Sequence, residues 1–225
     1  MKSMKKIIFL IIILVLCLIT IVVFFRRPNL RPVKAQLDHL DLSGYNKLMI
    51  ISHPTDELLW GGVHLQEDNY LIVCVSCGVN ETRDLSFIRG INETNDKFLM
   101  MGYPDNFYLK RDLNKINKKL KMILEYKNWD EVITHNPDGE YGNLQHKLLS
   151  KEIKRLVPLD NLYYFGKYYD KKDLNLLDKE TKLNSNLLKN KYDILKNYDD
   201  YRDLQKKYGH MYPFEDWTRG SEWKS

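Results

Sequence analysis

Three side chains able to hold a divalent metal lie in two short segments far apart in the chain. His53 and Asp56 belong to Ile51-Ser52-His53-Pro54-Thr55-Asp56-Glu57, and His146 closes Thr134-His135-Asn136-Pro137-Asp138-Gly139-Glu140-Tyr141-Gly142-Asn143-Leu144-Gln145-His146. Two imidazoles and one carboxylate make a three-ligand set of the kind that leaves a fourth zinc position open to water. A zinc so held polarises carbonyls and acidifies water, which is hydrolytic chemistry. Each segment follows an apolar run with strand character, Lys47 to Ile51 and Glu131 to Thr134. In an open parallel α/β sheet the loops beyond the carboxyl ends of the strands form the ligand crevice, so the three side chains are expected to meet there.

Around them stand residues with further chemical capacity. Pro54 fixes the backbone after His53, and Asp56 falls near a helix N-terminus, where a carboxylate is favoured. Asp138 and Glu140 sit in the loop before His146 and are candidate proton acceptors. Tyr141 is placed either to hydrogen-bond a tetrahedral intermediate or to wall a pocket. His135, followed by Asn136-Pro137, is expected to fix the loop rather than to bind metal. Arg89 and Glu93 are spaced as an i,i+4 pair, with a sugar contact from Arg89 as the alternative.

His-Pro-x-Asp-Glu followed by Gly61-Gly62, then Gly-Glu-Tyr-Gly-x-x-x-His, resembles the PIG-L/LmbE group of zinc-dependent N-deacetylases, which remove acetyl from N-acetylglucosamine conjugates. The resemblance runs from about Lys47 to Tyr168. It implies that His53, Asp56 and His146 bind zinc. It also marks two departures: Thr55 stands where that family has an Asp acting as general base, and Asn143 where it has a His that assists the tetrahedral intermediate. The expected function is zinc-dependent N-deacetylation of an N-acetylglucosamine-type conjugate, including lipid-linked ones. The alternatives are a catalytically impaired relative that binds zinc or a glycan, and a membrane-tethered interaction module.

The elements that must position these residues alternate. Strand candidates Lys47–Ser52, Tyr70–Ser76, Asn106–Leu109, Glu131–Thr134 and Asn161–Phe165 are separated by helix candidates Glu57–Gln66, Arg83–Met101, Leu113–Tyr126 and Gln145–Leu156. That alternation predicts a Rossmann-like three-layer α/β sandwich with a mostly parallel sheet. No G-x-G-x-x-G follows the first strand, which argues against a dinucleotide. Beyond Tyr169 the chain turns to Lys, Asn, Leu, Asp and Tyr, with Leu187 to Lys206 expected as charged amphipathic helices. The aromatic end, Tyr208 to Trp217, is expected to fold back on the core.

Ile7 to Phe25 is apolar apart from Thr20 and predicts one transmembrane helix, uncleaved because no small-residue cleavage site follows. Residues 1–27 then read as an anchor, 28–45 as a tether and 46–225 as the catalytic-type domain. The lysines and arginines flanking the span lean toward a cytoplasmic domain in a single-pass membrane protein. The formal net charge is +5, but seven of the 35 basic residues (Lys2, Lys5, Lys6, Arg26, Arg27, Arg31, Lys34) precede the first acid, Asp38. The other 28 face all 30 acidic residues, a net of −2, so the domain has no surplus for a nucleic-acid backbone. Three cysteines make no disulfide framework, and Cys74 and Cys77 are read as core residues on opposite faces of a strand.

Overall fold

The short apolar runs become the strands of one sheet, and the longer amphipathic stretches between them become its covering helices. The computed structural model describes residues 2–25, 32–77, 81–105, 110–177 and 183–224. In chain order they form α1 (Lys2–Phe25), α2 (Val33–Asp38), β1 (Lys47–Ile51), α3 (Asp56–Gly61), α4 (His64–Glu67), β2 (Tyr70–Cys74), α5 (Glu81–Asn92), β3 (Lys97–Met100) and α6 (Lys110–Leu124). There follow β4 (Glu131–Thr134), α7 (Leu144–Lys154), β5 (Leu162–Tyr164), a 3₁₀ turn over Lys171–Leu176, α8 (Ser185–Leu195), α9 (Tyr201–Tyr208) and β6 (Thr218–Arg219).

The sheet order is β3-β2-β1-β4-β5-β6. All neighbours pair in parallel except β5 and β6, which are antiparallel. Side chains alternate along β1: Leu48 and Ile50 enter a core with α2, α6 and α7, while Met49 and Ile51 enter the opposite one with α3, α5 and α8. This period-two division between two helical layers is what a parallel sheet buried on both faces requires. The expected three-layer architecture is therefore present. Strand order reverses between β1 and β4, so a crevice opens at their carboxyl ends.

Several expectations are corrected. Among the described residues no helix is long and apolar enough to cross a membrane. The anchor, the single-pass reading and the membrane partner through residues 7–25 are withdrawn. Part of the expected tether is packed: α2 buries Val33 and Leu37, and Gln36 exchanges two hydrogen bonds with the backbone of Met100 at 3.0 and 3.1 Å. The helix expected over Arg83–Met101 ends at Asn92, and Lys97–Met100 is a strand instead, because Phe98, Leu99 and Met100 after the Thr94-Asn95-Asp96 turn complete the sheet edge. The strand expected at Asn106–Leu109 lies outside the described residues. Cys74 ends β2, and the chain then bends, so the two thiols hydrogen-bond each other; both are buried, and burial pushes both pKa values up.

The C-terminal segment does fold back. Met211 and Tyr212 join the core beside α3, and β6 pairs with β5. Gly61 permits this docking, since a Cβ there would stand 2.9 Å from both Met49 and Trp217.

Candidate metal centre

The loop after β1 delivers His53 and Asp56. Asp56 begins α3, and its Oδ2 accepts the His53 backbone N–H at 2.9 Å. Thr55, between them, is buried and takes φ +90°, a left-handed conformation that is costly for a β-branched residue. β4 ends with Thr134, whose hydroxyl donates to the Ile50 carbonyl at 2.8 Å and ties the two strands at the crevice.

Asn136 then organises the turn. Its Oδ1 accepts the N–H groups of Asp138 and Glu140 at 3.0 Å each, and its Nδ2 donates to the carbonyls of Phe165 and Gly166. Gly139, at φ +68°, passes so near Asn143 that a Cβ would meet its carbonyl oxygen at 2.4 Å. Asn143 caps α7, accepting from the backbone of Gln145 at 2.8 Å and of His146 at 3.4 Å. The cap sets the first turn of the helix that carries His146.

The donor atoms converge. His53 Nδ1, Asp56 Oδ2 and His146 Nε2 form a triangle with edges of 3.3, 3.2 and 3.4 Å. Ligands about 2.0–2.1 Å from a tetrahedral zinc lie roughly 3.3–3.4 Å apart, so the spacing fits that ion. Proton placement, assigned from partners, fits too. His53 Nε2 donates to Gln145 Oε1 at 2.8 Å, and His146 Nδ1 donates to Glu140 Oε2 at 2.5 Å. The ring proton of each neutral imidazole is thus turned outward, and three lone-pair atoms face one another across a gap suited to a cation. Burial would raise the Asp56 carboxyl, but the rings of His146, His135 and His53 hold it well below its usual range.

His135 is a buttress. Its Nε2 accepts the Ser52 N–H at 2.9 Å, its Nδ1 faces Glu140 Oε2 at 3.1 Å, and its ring stacks on His146 at 3.7 Å. Burial lowers its pKa while Glu140 and Asp56 push it up, but the Ser52 N–H on Nε2 makes that nitrogen an acceptor, so the ring carries its proton on Nδ1 toward Glu140. His135, Glu140 and His146 also lie close enough to form a second metal-ligand group, but there the ring Nδ1 atoms face the carboxylate as proton donors. Glu140, at φ +52°, is fully engaged: Oε1 takes the Asn136 N–H and Oε2 takes both rings. Against burial, His135 and His146 keep its pKa below the usual value.

The structure brings His53, Asp56 and His146 together and sets Thr55, Glu140, Tyr141 and Asn143 around them. Tyr141 stands edge-on to His146 at 5.5 Å and stacks on Tyr208 at 4.6 Å, with Lys207 over both rings. Asp138 is exposed. Arg89 is half exposed and held by Ser86, the Asn197 carbonyl and Asp199. A cleft of about 310 Å³ opens beside Pro54 and Thr55, walled by Thr82, Arg83 and Ser86 of α5 and by Tyr198, Asp199 and Asp200, so Arg83 lines it and Arg89 does not. Sequence reasoning misses Gln145 and Asn136. A Gln directly before a ligand His is a weak signal; its role shows only when its Nε2 is seen anchored on the Asp105 carbonyl and its Oε1 on His53.

No family model matches the chain. "Uncharacterized protein L374" of Acanthamoeba polyphaga mimivirus is 33% identical over 148 residues, 58% of this chain and 64% of that protein, so the chain spans somewhat less than two thirds of that relative. Among solved structures, the N,N'-diacetylchitobiose deacetylase from Pyrococcus horikoshii, complexed with its inhibitor MPG, superposes with TM-score 0.50 at 15% identity over 80% of this chain and 86% of its own. A triple mutant of a deacetylase of the teicoplanin biosynthetic pathway gives TM-score 0.53 at 12% identity over 73% and 86%. The chain shares its fold with these deacetylases.

Proposed function

We propose that this chain is a zinc-dependent N-deacetylase acting on an N-acetylated sugar of the N-acetylglucosamine type. The observation that carries the proposal is the triangle of His53 Nδ1, Asp56 Oδ2 and His146 Nε2, three candidate metal-donor atoms at zinc-ligand spacing. The shared fold with an N,N'-diacetylchitobiose deacetylase supports the substrate class. A conjugate linked to lipid drew its support from the membrane anchor and falls with it.

Bound zinc would supply Lewis acidity toward an acetamide carbonyl and toward water. The chain's own residues do the rest. Gln145 and Glu140 hold the two imidazoles in the tautomers that aim lone pairs inward. Tyr141, half-buried beside His146, walls the site, and its phenol is kept protonated by burial and by Asp56, so it is a donor. The cleft beside Thr55 offers Arg83, Thr82 and Asp200 to sugar hydroxyls.

One observation favours a second reading, a site that binds zinc and sugar with little turnover. Thr55 and Asn143 carry no group that titrates near neutrality, and Glu140 is committed to two rings and a backbone N–H. Amine release from N-acetylglucosamine conjugates, measured on the zinc-loaded chain and on His53→Ala, separates the two. Release that His53→Ala abolishes supports the deacetylase; retention of sugar binding with no release supports the second reading; release undiminished in His53→Ala rejects the metal-site assignment.

A further inference from the structure

The net charge of −2 that follows the basic N-terminus is unevenly shared. From Asp38 onward, α6 and α7 hold nine of the 28 basic residues and two of the 30 acidic ones, which leaves 19 basic and 28 acidic elsewhere, so the two helices carry +7 and the rest −9. The helices lie side by side against one core, joined by Asn117 Nδ2 donating to Glu152 Oε2 at 2.8 Å. Leu149 and Ile153 face that core, so Lys147, Lys151 and Lys154, at i, i+4 and i+7, form an exposed stripe on the outer side of α7. Lys115 and Lys118 are exposed on α6. None of these five ammonium groups has an acidic partner among the described residues, and Glu152, the one acid on α7, is taken by Asn117 and Arg155. Like charges three and four residues apart on a helix repel, so the stripe is unfavourable until an anion lies along it.

The stripe begins at the metal centre. His146 stands in the first turn of α7, Lys147 follows it, and a Cβ on Gly139 of the preceding turn would stand 2.8 Å from Lys147 Cγ. The positive end of the helix dipole lies there too. At about 1.5 Å per residue, Lys147 to Lys154 leads roughly 10 Å away from the crevice. A polymer with one unit in the crevice and its neighbours along α7 thus meets positive charge at each. Neither helix contains Phe, Tyr or Trp, so this face lacks the stacking platforms that single-stranded nucleic acid uses. We propose that the outer face of α7, with α6 beside it, binds an acidic glycan in which N-acetylated sugars alternate with uronic acids. The proposal rests on the deacetylase reading for the sugar in the crevice and makes the substrate of that site a polyanion.

The test is calorimetric binding of two six-sugar probes to the full chain: a hyaluronan fragment, alternating glucuronate and N-acetylglucosamine, and a chitin fragment, N-acetylglucosamine alone. The acidic probe should bind at least ~10-fold more tightly at about 50 mM salt and lose most of that advantage at about 500 mM, where the screening length falls to roughly 4 Å. Lys151→Glu/Lys154→Glu, at exposed positions away from the metal ligands, should cancel the advantage and leave the chitin fragment's affinity unchanged. Lys151→Arg/Lys154→Arg should keep it, as should Lys189→Glu/Lys206→Glu, which makes the same charge change on α8 and α9. His53→Ala should also keep it, so zinc and turnover lost in that variant bear on the deacetylase reading and not on the stripe. Equal affinity for the two probes at low salt overturns the proposal, as does a charge-reversed α7 that binds the acidic probe like wild type. An oligothymidylate of six nucleotides that binds more tightly than the hyaluronan fragment overturns it too and assigns the face to nucleic acid.

Discussion

Two clusters of buried ionisable groups are built on opposite plans. In one, Lys191 Nζ reaches Glu215 at 2.7 Å, the Leu59 carbonyl at 2.9 Å and the Tyr212 carbonyl at 3.2 Å, which uses its three protons. Glu215 in turn accepts from the backbone of Val63 and His64 and faces His64 Nδ1 at 2.9 Å. Donors and acceptors balance, and the network closes on itself. In the other, His53, Asp56 and His146 turn three acceptors toward one point while Gln145 and Glu140 hold the ring protons away from it. The first arrangement fastens the C-terminal segment to α3 and α8. The second is incomplete in a way that the proposed zinc would complete. A buried charge by itself thus says little about function; the direction of the lone pairs says more.

The contrast breaks most plainly at His146. His146→Ala should take the folded chain from about one bound zinc to none by metal analysis, since two ligands do not make a retaining site, whereas Lys191→Met should leave zinc content in the folded fraction unchanged. Equal zinc in wild type and His146→Ala would reject the ligand assignment. Lys191→Met should instead cost about 3–5 kcal/mol in denaturant unfolding of the metal-free chain, because Glu215 is left charged and buried without its partner. The double variant Lys191→Met/Glu215→Leu should recover part of that loss. A loss below ~1 kcal/mol in the single variant would mean the closed network is not what holds the segment.

A third buried carboxylate sharpens the point away from both clusters. Asp96 Oδ1 accepts the Tyr70 N–H at 2.7 Å, while Oδ2 has no partner among the described residues. Burial pushes its pKa up to about 7 from an ordinary 3.8. Because the folded value lies above the unfolded one, the folded state holds the extra proton between them. Stability is therefore full below pH ~4 and is lost as pH rises toward and through 7, on the order of 2–4 kcal/mol. Asp96→Asn keeps the acceptor for Tyr70 and should flatten this part of the stability profile; an unchanged profile would place the titration elsewhere.

Smaller again is the effect of the groups that aim the ligands. Gln145→Leu frees His53 to take the other tautomer, and Glu140→Gln weakens the hold on His146. Each should reduce zinc affinity by ~10–100-fold in a chelator competition. No change in Gln145→Leu would show that His53 orients itself.

That His53, Asp56 and His146 meet is legible in the sequence, because both segments follow strands and strand-end loops share a crevice. The alternating layers are legible for the same reason. The role of Glu140 is not: the residue type suggests a proton acceptor, and only the three-dimensional turn built by Asn136 shows its oxygens already taken by His135, His146 and a backbone N–H. Asn143 is similar, since its cap on α7 depends on where the helix starts. β3 is hidden because a four-residue strand beside a twelve-residue helix leaves too short a periodic signal to separate them. The Lys191–Glu215 pair joins positions with no shared motif. The apolar run near the N-terminus shows the opposite error: a strong local signal does form a helix, but among the described residues none is long and apolar enough to cross a membrane.

Thr55 gives the finest test, because strain and chemistry meet there and can be pulled apart. Its φ of +90° suits Asn or Asp far better than a β-branched residue, so both Thr55→Asn and Thr55→Asp should relieve strain and stabilise the fold by roughly 0.5–1 kcal/mol, read from thermal or denaturant unfolding. The two differ only in the carboxylate. Thr55→Asp places a proton acceptor between His53 and Asp56, beside the cleft, and should raise amine release from an N-acetylglucosamine conjugate by at least ~10-fold, a modest share of the ~10²–10⁴ that general-base catalysis contributes. Thr55→Asn should leave the rate where wild type has it. If Asn and Asp raise turnover alike, the gain comes from relieved backbone and not from proton transfer. If neither changes turnover and Asp138→Asn abolishes it, the exposed loop carboxylate is the working base and Thr55 is only a hinge between two ligands.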